Sequence, residues 1–282
     1  IKAIELCDRL GMDTMSCGVT ISWAMECFER GILTKEDFDG LEPYFGNHQA
    51  EAALIEKISR REGIGDLLAQ GVKRASEKVG QGSEHFAMHV KGLEFAGYDV
   101  RGLQTFALGA AVGTRGPCHN RSLAYEADTH GEVDRFSAGP EKGKIAKEKE
   151  EFAALLDTLM LCKFIRGCFK DLYEEAAQLY TLTTGIEMTA EELKQVAERC
   201  WNLKKAFNIR EGWTKDDDWL PPRFLEDPIP AGTSKGYVVK PEDLRVMIDA
   251  YYKARGWTLE GLIPKEKLIA LGLEDLAPEI GV

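Results

Sequence analysis

Apolar residues recur at every third or fourth position along most of the chain, which is the spacing of amphipathic helices. Gly11, Gly31 and Gly256 each follow such a stretch, where a C-terminal glycine cap is expected. Thr189 begins a capping box, and Pro241 suits the first turn of a helix. These signals predict helices over residues 1–10, 16–30, 50–62, 66–78, 103–112, 189–207 and 241–255, and one that runs through the charged residues 141–151 to about 160.

The remaining segments show weaker patterns. Residues 86–90 alternate like a short strand, and the proline-rich residues 212–240 predict a long ordered loop. The chain is therefore predicted to be mainly α. Its 282 residues correspond to two domains at about 150 residues each, with a boundary expected between residues 80 and 95.

Composition and charge narrow the class of protein. With 44% hydrophobic and 29% charged residues, the chain has the balance of an ordered globular protein. A net charge of −11 argues against nucleic acid and anionic membranes as partners. No apolar run reaches the roughly 18 residues of a membrane span, and Glu5, Asp8 and Arg9 interrupt the first apolar stretch, unlike a signal peptide. We expect a cytoplasmic protein, and the abrupt start without methionine suggests a piece of a longer one.

The cysteines do not form a recognisable framework. Seven is an odd number for disulfide pairing, and in a long chain without a signal peptide they are expected to be reduced thiols or metal ligands. No CxxC pair is present, so a self-contained iron–sulfur or zinc site is not expected from this chain alone. The sequence also lacks a GxGxxG or Walker loop, HExxH and GxSxG.

One short pattern occurs twice. Residues 8–14 (DRLGMDT) and 157–163 (DTLMLCK) share the form D-x-x-[GM]-[ML]-[DC]-x, and each follows an amphipathic helix. Positions i and i+5 lie about 140° apart on a continuous helix, so the first and sixth residues converge only if the helix breaks between them. An aspartate at such a break can accept two parallel N–H bonds from a planar heterocycle, and a cysteine can bind a metal. A coincidence of helix C-terminal residues explains the pattern equally well.

This pair of motifs resembles the two D-x-x-G-L-[C/D] segments of the aldehyde ferredoxin oxidoreductase family, the tungsten–bispterin enzymes. Further segments match in order along essentially all 282 residues. They are Lys91–Glu94 (KGLE), Tyr98–Gly102 (YDVRG), Thr114–His119 (TRGPCH), Asp217–Arg223 (DDWLPPR) and Tyr251–Trp257 (YYKARGW).

The resemblance implies a fold and an activity. The chain corresponds to the second and third, helical domains of the family, residues 1–90 and 91–282, without the N-terminal β domain. The family oxidises aldehydes to carboxylic acids at tungsten (or molybdenum) held by two pterins, and a [4Fe–4S] cluster passes electrons to ferredoxin. Both cofactors are expected only in the full-length protein, so this chain alone is expected to be inactive without the N-terminal domain. A homodimer is possible in the family.

The resemblance also assigns residues. Asp8 and Asp13 correspond to the binding segment of one pterin, and Asp157 to that of the other. Cys162 matches the fourth cluster ligand, the other three coming from an upstream CxxCxxxC, and it is preferred to Cys168. Two further candidates for cofactor binding flank Cys162, namely Leu161 and Lys163. His119 matches a histidine near the metal that moves the substrate proton.

Met160 stands where the second motif usually has glycine, which leaves the backbone turn before Cys162 open. The alternative interpretation of the chain comes from a different class of protein. It is a non-catalytic helical module, or a subunit that completes a cofactor site on another chain.

Overall fold

Helices make up nearly all regular structure in the computed structural model, which describes all of residues 1–282. By packing, the chain divides into two units, each formed from separate stretches. Unit 1 comprises Ile1–Asp99, Arg115–Pro117 and Leu220–Val238, and unit 2 comprises Val100–Thr114, Cys118–Trp219 and Val239–Val282. The mainly α class is confirmed. The division of the family domains at residue 90 stays a prediction.

Unit 1 is built on a core around the second helix, where Ile21, Trp23 and Phe38 are buried. Residues from the late return, Leu220–Val238, belong to the same unit. There Arg223 pairs with Glu26, at 2.9 Å between Nη1 and Oε2. The elements of unit 1 are α1 (Lys2–Leu10), α2 (Thr14–Glu29), α3 (His48–Arg60), α4 (Ile64–Leu68), α5 (Val72–Val79), the antiparallel pair β1 (His89–Val90) and β2 (Leu93–Glu94), and α12 (Pro222–Glu226).

Unit 2 surrounds one long helix, α9 (Glu141–Thr158). Gly143 in α9 permits a close approach of α13 (Pro241–Arg255), because a Cβ at that position would lie 2.5 Å from the Tyr251 nitrogen. The Trp201 indole of α11 (Ala190–Arg210) donates to the Glu150 carbonyl oxygen of α9 at 2.8 Å. The helices of unit 2 are α6 (Gln104–Val112), α7 (His119–Ser122), α8 (Tyr125–Thr129), α9 (Glu141–Thr158), α10 (Leu172–Thr184), α11 (Ala190–Arg210), α13 (Pro241–Arg255) and α14 (Lys265–Ala270).

A charged cluster is enclosed between α9 and α13. Arg255 is fully buried and donates to Glu150 at 2.5 Å and to Glu151 at 2.8 Å. The Tyr251 hydroxyl also donates to Glu150, at 2.6 Å. Burial raises the pKa of Glu150 to about 7, against the opposing pull of the Arg255 guanidinium. Arg255 therefore holds two carboxylates in the core of unit 2.

The predicted helix ends are mostly confirmed. Gly11 and Gly256 adopt left-handed conformations at the C-termini of α1 and α13. Thr189 forms the capping box that begins α11, and Pro241 occupies the first turn of α13. Capping residues therefore located these boundaries to within a few residues.

Three predictions were wrong in detail. The helix expected over residues 66–78 is interrupted at Gly71, where φ is +82° and the Val72 nitrogen donates to Glu94 at 2.8 Å. Of the strand expected over residues 86–90, Phe86 ends a 3-10 helix, Ser83–Phe86, and only His89–Val90 pairs as a strand. The expected loop over 212–240 contains α12.

Candidate functional site

The first copy of the repeated motif forms the turn between α1 and α2. Gly11 is left-handed (φ 72°, ψ 33°), and its nitrogen donates to the Asp8 carbonyl at 3.4 Å. The Met12 nitrogen donates to the Cys7 carbonyl at 2.9 Å, which completes a Schellman turn. Asp13 is extended (φ −67°, ψ 123°), and its carboxylate caps α2 by accepting from the Ser16 nitrogen at 2.7 Å.

The second copy forms the same turn at the end of α9. Met160 takes a left-handed φ of 55°, and its nitrogen donates to the Asp157 carbonyl at 3.1 Å. The Leu161 nitrogen donates to the Leu156 carbonyl at 2.8 Å. Cys162 is extended (φ −65°, ψ 130°) and occupies the N-cap of a 3-10 helix, Lys163–Cys168. The repeat is thus a repeat of backbone structure. The helix break that the pattern requires is present at Gly11, and it is also present at Met160, where the sequence had left the turn open.

The Met160 backbone provides a test of this turn. A residue with a Cβ loses about 1–2 kcal/mol of folding free energy when it adopts the left-handed conformation. Glycine avoids this cost, but it loses more backbone entropy on folding, which offsets about 0.5–1 kcal/mol of the gain. Met160 is 92% exposed, so few contacts are lost on replacement. Met160→Gly is expected to raise the free energy of unfolding by about 0.5–1 kcal/mol in urea titrations. Gly11→Ala, where an added Cβ meets nothing within 4 Å, is expected to lower it by about 1 kcal/mol. Equal effects of both changes would contradict the shared turn.

Asp157 lies between two cations of unit 2. Its Oδ1 accepts from the Arg121 guanidinium at 3.0 Å and is paired with the Lys163 ammonium at 3.1 Å. Lys163 also donates to the Ala153 carbonyl at 3.2 Å. Burial lowers the pKa of Lys163, while Asp157 opposes that shift. The second oxygen of Asp157, Oδ2, is buried and has no hydrogen-bond partner. A carboxylate oxygen therefore remains available to an N–H donor beside two positive charges.

His119 is the first residue of α7, the helix that also carries Arg121. Burial lowers the pKa of His119 below 6.5, so the imidazole is neutral at pH 7. Its ring centroid lies 6.1 Å from that of Tyr125. Arg121 forms an ion pair with Asp157 of the second turn. This ion pair therefore connects α7, which carries His119, to the second turn.

The first turn borders a cavity of about 310 Å³ within unit 1. Asp13 contributes to its wall together with polar and apolar side chains from α2, α3 and α4. The lining residues include Met12, Ser16, Cys17, Ser59 and Arg61. A planar polar ligand can therefore approach the Asp13 carboxylate from this cavity, whereas Asp8 is exposed on α1.

The second turn exposes its thiols and apolar side chains. Cys162 and Cys168 are both exposed, and Phe164 between them is 93% exposed. Nowhere do three or more His, Cys, Asp or Glu side chains come together in a group that could hold a metal ion. Cys162 thus offers one thiolate, and any cluster bound there requires ligands from elsewhere.

The structure brings some of the predicted site residues together. Asp157 and Lys163 are paired, and Cys162 is the residue next to Lys163. Asp8 and Asp13 flank the other turn, in unit 1. Arg121 was missed by sequence reasoning, although its position two residues after His119 in the matched TRGPCH segment offered a signal. The structure contains no helix that combines the length and the apolar character of a membrane span.

The sequence is similar to a known family and to several named relatives. The family described as "Aldehyde ferredoxin oxidoreductase, domains 2 & 3" matches residues 1–273. A tungsten-containing aldehyde ferredoxin oxidoreductase of Pyrococcus furiosus is 38% identical over 98% of this chain and 45% of its own length. An "aliphatic sulfonate oxidoreductase, WOR-like subunit" of the same organism is 31% identical over 98% of this chain and 42% of its own. The chain thus spans about half the length of these relatives.

A solved structure shares the fold. It is the active site complex BamBC of benzoyl coenzyme A reductase with 1,5-dienoyl-CoA, which aligns with a TM-score of 0.72 at 24% identity. The alignment covers 95% of this chain and 45% of that one. The similarity extends over both units of the present chain.

Proposed function

Because this chain belongs to the aldehyde ferredoxin oxidoreductase family, we propose that it forms the cofactor-binding helical part of a tungsten–pterin oxidoreductase. The proposed enzyme oxidises aldehydes to carboxylic acids and delivers the electrons to ferredoxin. The observation that carries the proposal is the turn built identically at Gly11 and Met160. Both turns are followed by an extended residue at the N-cap position of the next helix, Asp13 and Cys162, although only the Asp13 side chain makes a capping bond. This shared order supports the proposal over a chance resemblance of helix C-termini.

The residues at the second turn fit one pterin. Asp157 offers its available Oδ2 to the N–H groups of the pterin edge, and its Oδ1 is held in place by Arg121 and Lys163. These two cations also suit the phosphate of the cofactor. Leu161 contributes the backbone that leads into Cys162. At the first turn, Asp8 and Asp13 are proposed to bind the second pterin.

When bound, the metal supplies an oxygen ligand and accepts two electrons. The proposed role of His119 is to accept the proton that the substrate releases. A neutral imidazole is the form that accepts a proton, and the lowered pKa keeps His119 in that form at neutral pH. Arg121 positions α7 through its ion pair with Asp157, and so orients His119.

Cys162 is proposed as one thiolate ligand of a [4Fe–4S] cluster, whose remaining ligands come from an N-terminal domain outside this chain. Ferredoxin, an aldehyde, that domain and a second copy of the chain are the partners proposed from the family. The cytoplasmic location expected from the sequence stays a prediction.

The alternative role is that of a subunit which completes a cofactor site on another chain. It is favoured by the lack of any three grouped metal-ligating side chains within these 282 residues. The substrate also has an alternative, because the relative named for aliphatic sulfonates matches the chain over the same 98%. Assays with aldehydes and with aliphatic sulfonates distinguish the two substrate classes.

Asp157→Asn tests the pterin site in the full-length protein. The change removes the anion between Arg121 and Lys163 and weakens a charge-assisted bond worth about 1.5–3 kcal/mol. We therefore expect retained tungsten and pterin, measured by elemental analysis and fluorescence of the released pterin, to fall by roughly tenfold or more. Asp249→Asn, at an exposed residue of α13, is the matched control. Equal cofactor content in both variants would exclude Asp157 from the site.

Cys162→Ala tests the cluster ligand. We expect the visible absorption and paramagnetic signal of the [4Fe–4S] cluster to be lost in the full-length protein, because one thiolate of four is removed. Cys168→Ala is the matched control, since both thiols are exposed at the two ends of the same 3-10 segment. Loss of the signal in Cys168→Ala alone would reverse the assignment.

A further inference from the structure

The 3-10 helix that follows Cys162 is not held by the core of unit 2. None of its residues, Lys163–Cys168, is buried, and Phe164 is 93% exposed. A segment with few buried apolar contacts opens easily unless polar contacts fix it. The position of Cys162 at the start of this segment therefore depends on hydrogen bonds and ion pairs.

Arg166 makes two such contacts from the middle of the segment. Its Nε donates to Glu126 Oε1 at 2.6 Å, and its Nη1 donates to the Lys163 carbonyl oxygen, also at 2.6 Å. That carbonyl belongs to the residue next to Cys162. A guanidinium presents its donors in a rigid planar fork, so one side chain can hold both acceptors at once. Arg166 thus connects the turn of its own segment to α8.

Glu126 is a firmly placed partner for this arginine. It is the second residue of α8, and it is only 7% exposed. The preceding residue, Tyr125, places its ring centroid 6.1 Å from that of His119. A carboxylate with so little exposure requires a charged or hydrogen-bonding partner. Through this pair, α8 connects the Cys162 segment to the surroundings of His119.

Two ion pairs join the same two stretches of chain in opposite order. In the first, the cation Arg121 lies on the earlier stretch and its partner is Asp157. In the second, the anion Glu126 lies on the earlier stretch and its partner is Arg166. A single ion pair leaves one stretch free to rotate against the other, whereas two separate pairs restrict that rotation. The second pair has no role in the function proposed above.

We infer that Arg166, held by Glu126, is a positioning residue that fixes the direction in which the Cys162 thiol is presented. It acts through its own segment and does not itself bind the cluster. Because the potential of a cluster depends on nearby charge, the Arg166 cation is also expected to raise the reduction potential of a cluster bound at Cys162. This effect on the potential rests on the function proposed above, whereas the fixed position of the segment does not.

The first test is amide hydrogen exchange of residues 160–169 in the 282-residue chain without cofactors. Arg166→Met removes both donors, and we expect the amides of the segment to exchange about tenfold faster than in the wild type, or more. Arg210→Met is the matched control, because Arg210 is an exposed arginine of unit 2 that pairs with the exposed Glu211. It should leave exchange in the segment unchanged. Equal exchange in the wild type and in Arg166→Met would overturn the inference.

The second test is the reduction potential of the [4Fe–4S] cluster in the full-length protein, measured by redox titration with paramagnetic resonance detection. Arg166→Met removes a cation and is expected to lower the potential. Glu126→Gln removes an anion but keeps an oxygen that accepts from Arg166, so it is expected to raise the potential. Each shift should be about 59 mV, which corresponds to a tenfold change in a one-electron equilibrium.

Opposite shifts would identify the charges of the pair as their cause, because a general loss of folding does not depend on the sign of the charge removed. Shifts of the same sign, or no shift in either variant, would contradict the inference. If Arg166→Met folds poorly or loses the cluster, Glu126→Gln decides alone, through a raised or an unraised potential.

The two tests separate this inference from the proposed function. A wild-type full-length protein that binds no [4Fe–4S] cluster would contradict the proposed role of Cys162, while the exchange measurement would still decide whether Arg166 fixes the segment. A cluster present in the wild type, together with unchanged exchange in Arg166→Met, would contradict the inference alone.

Discussion

Replacing His119 by asparagine in the full-length enzyme is expected to lower kcat by a factor of about 10²–10⁴, which is the usual contribution of a positioned acid–base group. Asparagine is close to imidazole in size but has no group that accepts a proton near neutral pH. The pterin contacts proposed for Asp157 do not involve the imidazole, so tungsten content should not change. The measurement is the initial rate of aldehyde oxidation normalised to bound tungsten.

The pH profile distinguishes proton transfer from a structural role. Burial lowers the pKa of His119, so its basic form is present above that pKa and is lost as the pH falls through it. The wild-type rate should therefore decline on the acid side below pH 6.5, and His119→Asn should lack that decline. His130→Asn, at an exposed histidine of the same unit, should retain both the rate and the profile. An unchanged rate in His119→Asn would remove this residue from the mechanism.

Arg255→Met is expected to lower the free energy of unfolding by about 3–5 kcal/mol, the cost of leaving a buried charge without its partner. The change retains much of the side-chain volume but removes the only cation that contacts both Glu150 and Glu151. Urea or thermal unfolding, followed by circular dichroism, measures the loss. Arg245→Met is the matched control, because Arg245 is an exposed arginine of α13 that lies over the Trp219 ring. Its effect should stay below about 1 kcal/mol.

The loss of stability in Arg255→Met is expected to depend on pH, because the carboxyl group of Glu150 is buried. Burial already raises the pKa of Glu150 to about 7, so its contribution to stability is present at low pH and is lost as the pH rises from 4.5 through 7. Without Arg255, the pKa rises further, and protonation relieves part of the damage in acid. The deficit of Arg255→Met should therefore be smaller at pH 5 than at pH 8. A deficit that is constant with pH would show that lost packing, rather than an unpaired charge, causes it.

Local signals in the sequence were sufficient for much of the fold. The ends of α1, α11 and α13 are set by residues that satisfy the terminal backbone groups of their own helices, and such residues can be recognised without tertiary information. The same applies to α10, which was overlooked. Its Asp171 accepts from the Tyr173 and Glu174 nitrogens, an N-cap that is visible in the sequence.

The remaining features depend on residues that are distant in sequence. The helix interruption at Gly71 depends on the carboxylate of Glu94, which accepts a hydrogen bond from the Val72 nitrogen. The position of Arg121 depends on Asp157, and nothing in the local pattern around either residue specifies that pair. Likewise, the sequence left the turn at Met160 open. The structure assigns it the left-handed conformation that Gly11 adopts.

The late return of the chain to unit 1 affects how the protein can be dissected. A truncation after Trp219 would remove α12. One of the two arginines that pair with Glu26, Arg223, would be lost with it, and so would the Phe224 ring that packs edge-on against Phe95 at 5.0 Å. The two units therefore do not correspond to two consecutive segments of the sequence. Independent expression of unit 1 would require a linker that joins residue 99 to residue 220 and retains Arg115–Pro117, rather than a new stop codon.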